Sequence, residues 1–108
     1  MKKITAYIKN HMLTKVTLAL HKIDGLTGVS VTDVRGFGRG NGEKGSDYVD
    51  YKPHTKIEIV CSNGIVNDVV KAIEKNAHTG LHGDGKIYIS PIEESVRIST
   101  GERGKTAI

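Results

Sequence analysis

Three glycine-rich, basic segments of this chain have the composition of phosphate-binding turns. The first is Gly36-Phe37-Gly38-Arg39-Gly40. Glycines let a backbone approach an anion closely and present its N–H groups. The adjacent arginine adds charge-assisted hydrogen bonds. The segment follows a predicted strand but leads into a loop, so it is neither a Walker A loop nor a dinucleotide fingerprint. Alone, it reads equally as a linker. The second is Gly83-Asp84-Gly85-Lys86, which runs straight into a strand. Gly-X-Gly permits a tight phosphate-facing turn and Lys86 suits a phosphate, although taken alone the segment reads better as a plain turn. The third is Arg97-Ile98-Ser99-Thr100-Gly101-Glu102-Arg103-Gly104. It gains interest from the other two, because three such elements could converge on one polyphosphate.

No residue set points to catalysis. His78 and His82 have a metal-friendly spacing for a helix, but Gly80 and Gly83 argue against a helix there. His11, His21 and His54 are scattered, and each reads as a surface histidine. Cys61 shares the parity of Ile57 and Ile59, so it reads as core, not nucleophile. No Ser/His/Asp set, Cys/His set or pair of carboxylates in a glycine-framed pocket stands out.

The elements that must position these segments follow from periodicity. Lys3 to Lys9 alternates, with Ile4, Ala6 and Ile8 on one side: a half-buried strand. Val16, Ala19, Leu20 and Ile23 form a helical stripe that Asp24-Gly25 stops. Gly28 to Arg35 reads as a second strand with Val29 and Val31 inward. The stretch from Gly36 to Pro53 has no periodic apolar face and exceeds the ~12–15 residues at which structureless loops become unusual. Thr55 to Cys61 alternates again, with Ile57, Ile59 and Cys61 inward. Ser62 or Asn63 could cap a second helix, whose stripe is Ile65, Val66, Val69, Val70 and Ile73. Lys86 to Ser90 is a fourth strand with Ile87 and Ile89 inward, and Val96 to Ile98 a possible short extension. The order predicts an α+β, ferredoxin-like βαββαβ fold: a four-stranded antiparallel sheet with two helices on one face. The other face carries Thr5, Tyr7, Ser30, Thr32, Lys56, Glu58 and Tyr88, a mixed surface.

The 108 residues suit a single domain, 1–108. A net charge of +4 favours an anionic partner. One Phe, four Tyr and no Trp offer few stacking rings, which argues against nucleic acid. The single cysteine forms no intrachain disulfide. No signal peptide opens the chain and no run nears ~18 apolar residues, so direct membrane insertion is not expected and the cytoplasm is.

Taken together, the segments resemble the PII signal-transduction family of nitrogen regulation. The resemblance rests on Met1-Lys2-Lys3-Ile4, Gly36 to Arg39, Lys56-Ile57-Glu58-Ile59-Val60, Thr79-Gly80, Gly83 to Ile87, Ser90 to Glu94 and Thr100 to Gly104, in order and near family spacing. It implies a homotrimer with ATP or ADP in clefts between subunits, AMP being a third candidate. It also implies a long T-loop between strands 2 and 3, here residues 40–51, that docks on a target protein such as a membrane transporter. Carried over, the adenosine end falls near Tyr7, Gly28, Val29, Ser30, Gly36, Glu58 and Val60. The phosphates fall near Gly38, Arg39, Gly83, Gly85 and Lys86, with Arg97 from a neighbouring chain. Phe37, Asp84 and Ser99 complete the candidate set.

Four departures from the family pattern stand out. Gly40 replaces the Gln that helps hold magnesium and 2-oxoglutarate, which argues against 2-oxoglutarate and leaves magnesium open. Ser99 replaces a second phosphate-binding Arg, and His54 replaces a Lys after the loop proline. The loop is shorter, so Tyr48 and Tyr51 do not align cleanly with the family's modified tyrosine. Gly40 also resembles a PII-like branch linked to metal efflux, an alternative partner class. Other readings are a slow ATPase, an RNA-binding module and a histidine-based metal sensor.

Overall fold

A computed structural model describes residues 1–37 and 50–108. Strands β1 (Lys2–Ile8), β2 (Ser30–Gly36), β3 (Lys52–Cys61) and β4 (Gly85–Pro91) form one sheet in the order β2-β3-β1-β4. All neighbouring pairs are antiparallel. Helices α1 (Leu13–His21) and α2 (Val66–Ala77) pack on each other, and α2 lies against β1. This is the expected ferredoxin-like arrangement.

The period-2 patterns of the two central strands place Ile4, Ala6 and Ile8 with Ile57, Ile59 and Cys61 in the core. Val16 and Leu20 of α1 and Val69, Ile73 and Ala77 of α2 close it from above. The one buried polar residue among those described, Thr55, is satisfied by donating its hydroxyl to Asn10 Oδ1 at 2.8 Å. Burial pushes the Cys61 thiol above its ordinary pKa, as a core position requires.

Several expectations need correction. Val31 and Ile89 point to the helix side by register, opposite Ile57 and Ile4, yet they are 47% and 51% exposed. They sit on edge strands that two helices do not reach across. Neither Ser62 nor Asn63 caps α2. A short 3-10 turn, Asn63–Ile65, intervenes, and the Asn63 carboxamide oxygen instead accepts from the Met1 amino group at 3.0 Å. Helix α1 ends at His21, and the chain then turns through Gly25 at φ +87°. Pro53 lies within β3, not before it. It is tolerated because β1 stops at the Ile8–Thr55 pair, leaving Pro53 opposite Arg35 of β2 alone. The extension at Val96 to Ile98 is a single bridge, Val96 to Arg103. No described helix is long and apolar enough to cross a membrane.

Candidate functional site

The sheet face away from the helices gathers five of the candidate residues. Cross-strand register puts Ser30 beside Glu58 and Glu58 beside Thr5, with Tyr88 beyond. The next row runs Thr32, Lys56, Tyr7, Lys86. Val60 lies opposite Lys3 on the same face. The Tyr7 and Tyr88 rings meet edge to face, 6.3 Å between centroids.

Glu58 is bracketed by two ammonium groups, Lys3 at 2.9 Å and Lys56 at 3.0 Å. The Lys3 hydrogen bond first, then that of Lys56, holds its carboxyl below the usual carboxylate value. The same contact raises Lys56. Sequence reasoning missed these lysines as Glu58 partners. Opposite charges two apart on β3 and diagonal across β1 were the available signal.

The Gly83-Asp84-Gly85-Lys86 turn is seated on β1. Gly85 has φ +109°, and a Cβ placed there would stand 1.6 Å from the Tyr7 carbonyl oxygen. Only glycine fits this approach. Asp84 is turned into its own loop, accepting from the Thr79 N–H at 2.8 Å and from the Thr79 hydroxyl. Lys9 lies 3.2 Å from Asp84 and His78 3.5 Å. The Thr79 hydroxyl, then the Thr79 N–H, then Lys9 keep the Asp84 carboxyl well below its usual range. Lys86 forms no ion pair among the described residues.

The remaining candidates are not gathered with these. Gly28 and Val29 line an open groove of about 360 Å³ with Thr17, Leu20, His21 and Leu26, on the helix side of β2. Gly36 ends β2 opposite Lys52, and the ring of Phe37 meets Tyr51 edge to face at 5.6 Å. Gly38, Arg39 and residues 40–49 lie outside the described residues. Arg97 and Ser99 follow β4 in a C-terminal turn. There the Arg97 guanidinium lies 3.7 Å from Glu102 and donates to the carbonyls of Thr106 and Ile108 at 3.4 Å. Among the described residues, no three His, Cys, Asp or Glu side chains come together as metal ligands.

Strand order decides which elements can meet. Gly36 and Gly85 lie towards the same end of the sheet but on its two outer strands. Three strand spacings separate those strands, roughly 14 Å. The described start of the first phosphate-like turn, Gly36, and the Gly83–Gly85 turn thus stand on opposite edges of the sheet.

Comparison with known proteins identifies the frame. The family model described as nitrogen regulatory protein P-II matches residues 1–102. The chain is 48% identical over 113 residues to the nitrogen regulatory protein P-II of Azospirillum brasilense, with all of both chains covered. It is 49% identical, again over both full lengths, to that of Rhodospirillum rubrum. The crystal structure of Arabidopsis thaliana PII bound to citrate superposes with a TM-score of 0.83 at 37% identity, covering 99% of this chain and 91% of that one. A family model spanning nearly every residue, and relatives almost half identical from end to end, leave one assignment: the chain belongs to the nitrogen regulatory protein P-II family.

Proposed function

We propose that this chain is a non-catalytic regulator that binds ATP or ADP between the subunits of a homotrimer. In this reading it controls a target protein through the segment between β2 and β3. The observation that carries the reading is the strand order. Gly36 at the end of β2 and the Gly83–Gly85 turn before β4 stand on opposite edges of one sheet, roughly 14 Å apart. They meet if the β2 edge of one subunit faces the β4 edge of the next, which closed cyclic symmetry supplies. Lys86, the second residue of β4, stands without an ionic partner among the described residues, as a phosphate ligand would.

The open face supports the same reading. Ser30 and Glu58 offer hydroxyl and carboxylate groups for a ribose, and Val60 an apolar contact for a base. Gly40 has no side chain with which to ligate magnesium or 2-oxoglutarate, so ATP binding here is independent of 2-oxoglutarate.

Calorimetric titration with ATP, ADP and AMP, with and without 2-oxoglutarate, tests the proposal alongside light scattering. The expected result is a trimer binding ATP or ADP, with affinity unmoved by 2-oxoglutarate and no phosphate release. A stable monomer at micromolar concentration, or no nucleotide heat, refutes it. Strong synergy between ATP and 2-oxoglutarate refutes the role given to Gly40.

A further inference from the structure

Asp84 sits between two glycines in a turn that the proposed function assigns to phosphate, and its charge is of the wrong sign for that task. A free carboxylate two residues from Lys86 would repel a polyphosphate. The structure answers this by turning Asp84 inward. Its two oxygens face the Thr79 N–H at 2.8 Å, the Thr79 hydroxyl, Lys9 at 3.2 Å and the His78 ring at 3.5 Å. Lys9 also donates to the Thr79 hydroxyl oxygen at 3.2 Å, and the Leu81 N–H donates to it at 3.1 Å. The Thr79 hydroxyl thus uses its one donor and both acceptor sites. Lys9 is the first residue after β1, so the cluster ties the loop to the end of a central strand. On the other side of Asp84, Gly85 is pressed onto the Tyr7 carbonyl of that same strand.

We propose that Lys9, Thr79 and Asp84 are positioning residues of the nucleotide site. They lock the 79–85 loop so that the backbone of Gly83 and Gly85 and the side chain of Lys86 are held ready for the phosphates, without touching the nucleotide themselves. This inference rests on the proposed nucleotide site. It gives Asp84 a different role from direct ligand contact, and it assigns Lys9 and Thr79 roles that their sequence neighbourhood does not suggest.

The test uses the full chain and two readouts. Amide hydrogen exchange of the ligand-free protein reports the loop at Thr79 and Leu81. Titration with ATP, with and without Mg2+, reports the site. Asp84→Asn, Thr79→Val and Lys9→Met should each speed exchange at those amides and weaken ATP binding by roughly tenfold, the scale of one charge-assisted hydrogen bond. The loss should be the same with and without Mg2+. Lys9→Met combined with Asp84→Asn should be no worse than the weaker single variant, because one network is broken once. Thr79→Ser keeps the hydroxyl and should restore both readouts. Faster exchange with unchanged affinity overturns the positioning role. So does a loss confined to Asp84→Asn and to Mg2+, which would make Asp84 a direct metal ligand. Failure of the unsubstituted chain to bind any nucleotide refutes the proposed site and this inference with it.

Discussion

Replacing Gly85 with alanine tests how firmly the 79–85 loop is seated on the sheet. The new Cβ would stand 1.6 Å from the oxygen and 2.7 Å from the carbonyl carbon of Tyr7. The shorter contact falls roughly 2 Å short of ordinary non-bonded contact. Both obstacles are backbone atoms, so no rotamer change relieves the overlap. The φ of +109° adds strain of about 1–3 kcal/mol for a residue with a side chain. Holding the native geometry is therefore the costlier route, and the first residues of β4 should detach from β1. Detachment gives up the Ile8–Gly85 and Tyr7–Lys86 pairs. At about 1 kcal/mol for each of two backbone hydrogen bonds, plus at least about 1 kcal/mol as the Asp84 contacts loosen, the loss is about 3 kcal/mol. For a chain of this length that corresponds to roughly 12 °C in Tm. Thermal unfolding at matched protein concentration reads it directly, concentration being fixed because subunit association also raises Tm. A shift under about 4 °C would refute the argument that the loop is pressed onto Tyr7.

Lys86→Ala should weaken ATP binding by roughly tenfold to a hundredfold while leaving the urea midpoint nearly unchanged, since Lys86 is exposed and lies in no ion pair among the described residues. Unchanged affinity in calorimetry would remove Lys86 from the site. Ile57→Ala empties a fully buried position at the centre of β3 and should cost about 2–5 kcal/mol, lowering the urea midpoint without changing the m-value. Lys3 and Lys56 hold the Glu58 carboxyl below its usual 4.5. Its pairing therefore contributes in full above that pH and is lost as pH falls through the lower folded-state value. Between about pH 5 and about pH 3, Glu58→Gln should lose less of its urea midpoint than the parent chain. Equal losses would mean that the two lysine contacts do not persist in solution.

The central strands were legible because each has one face buried under helices, which imposes strict alternation on Ile4, Ala6 and Ile8 and on Ile57, Ile59 and Cys61. The edge strands were less so. Val31 and Ile89 have the right parity, but burial depends on how far two helices reach across four strands, and no local pattern encodes that. The cap of α2 was misread because Asn63 has a competing partner, the Met1 amino group, 62 positions away. The glycine turns were visible as motifs, yet the separation of Gly36 from Gly85 follows from strand order, a global property. The role of Thr79 and Lys9 was hidden for the same reason. Lys9 closes an alternating strand like any solvated lysine, and its hydrogen-bond partner lies 70 positions on.

Strand β3 outruns β1, so Val34 to Gly36 and Lys52 to His54 form a two-stranded ribbon beyond the rest of the sheet, with the Phe37–Tyr51 ring pair at its tip. Past those rings lie 13 residues of chain, Gly38 to Asp50. Lengthening that span from 13 to 18 residues would change the entropy of closing it by only about 0.3 kcal/mol. The domain therefore places almost no thermodynamic restraint on insertions or deletions there, since register, core and ribbon are all settled before the span begins. Under the proposed function, constraint on Gly38 and Arg39 comes from the nucleotide, and constraint on the rest of the span from the surface the segment meets.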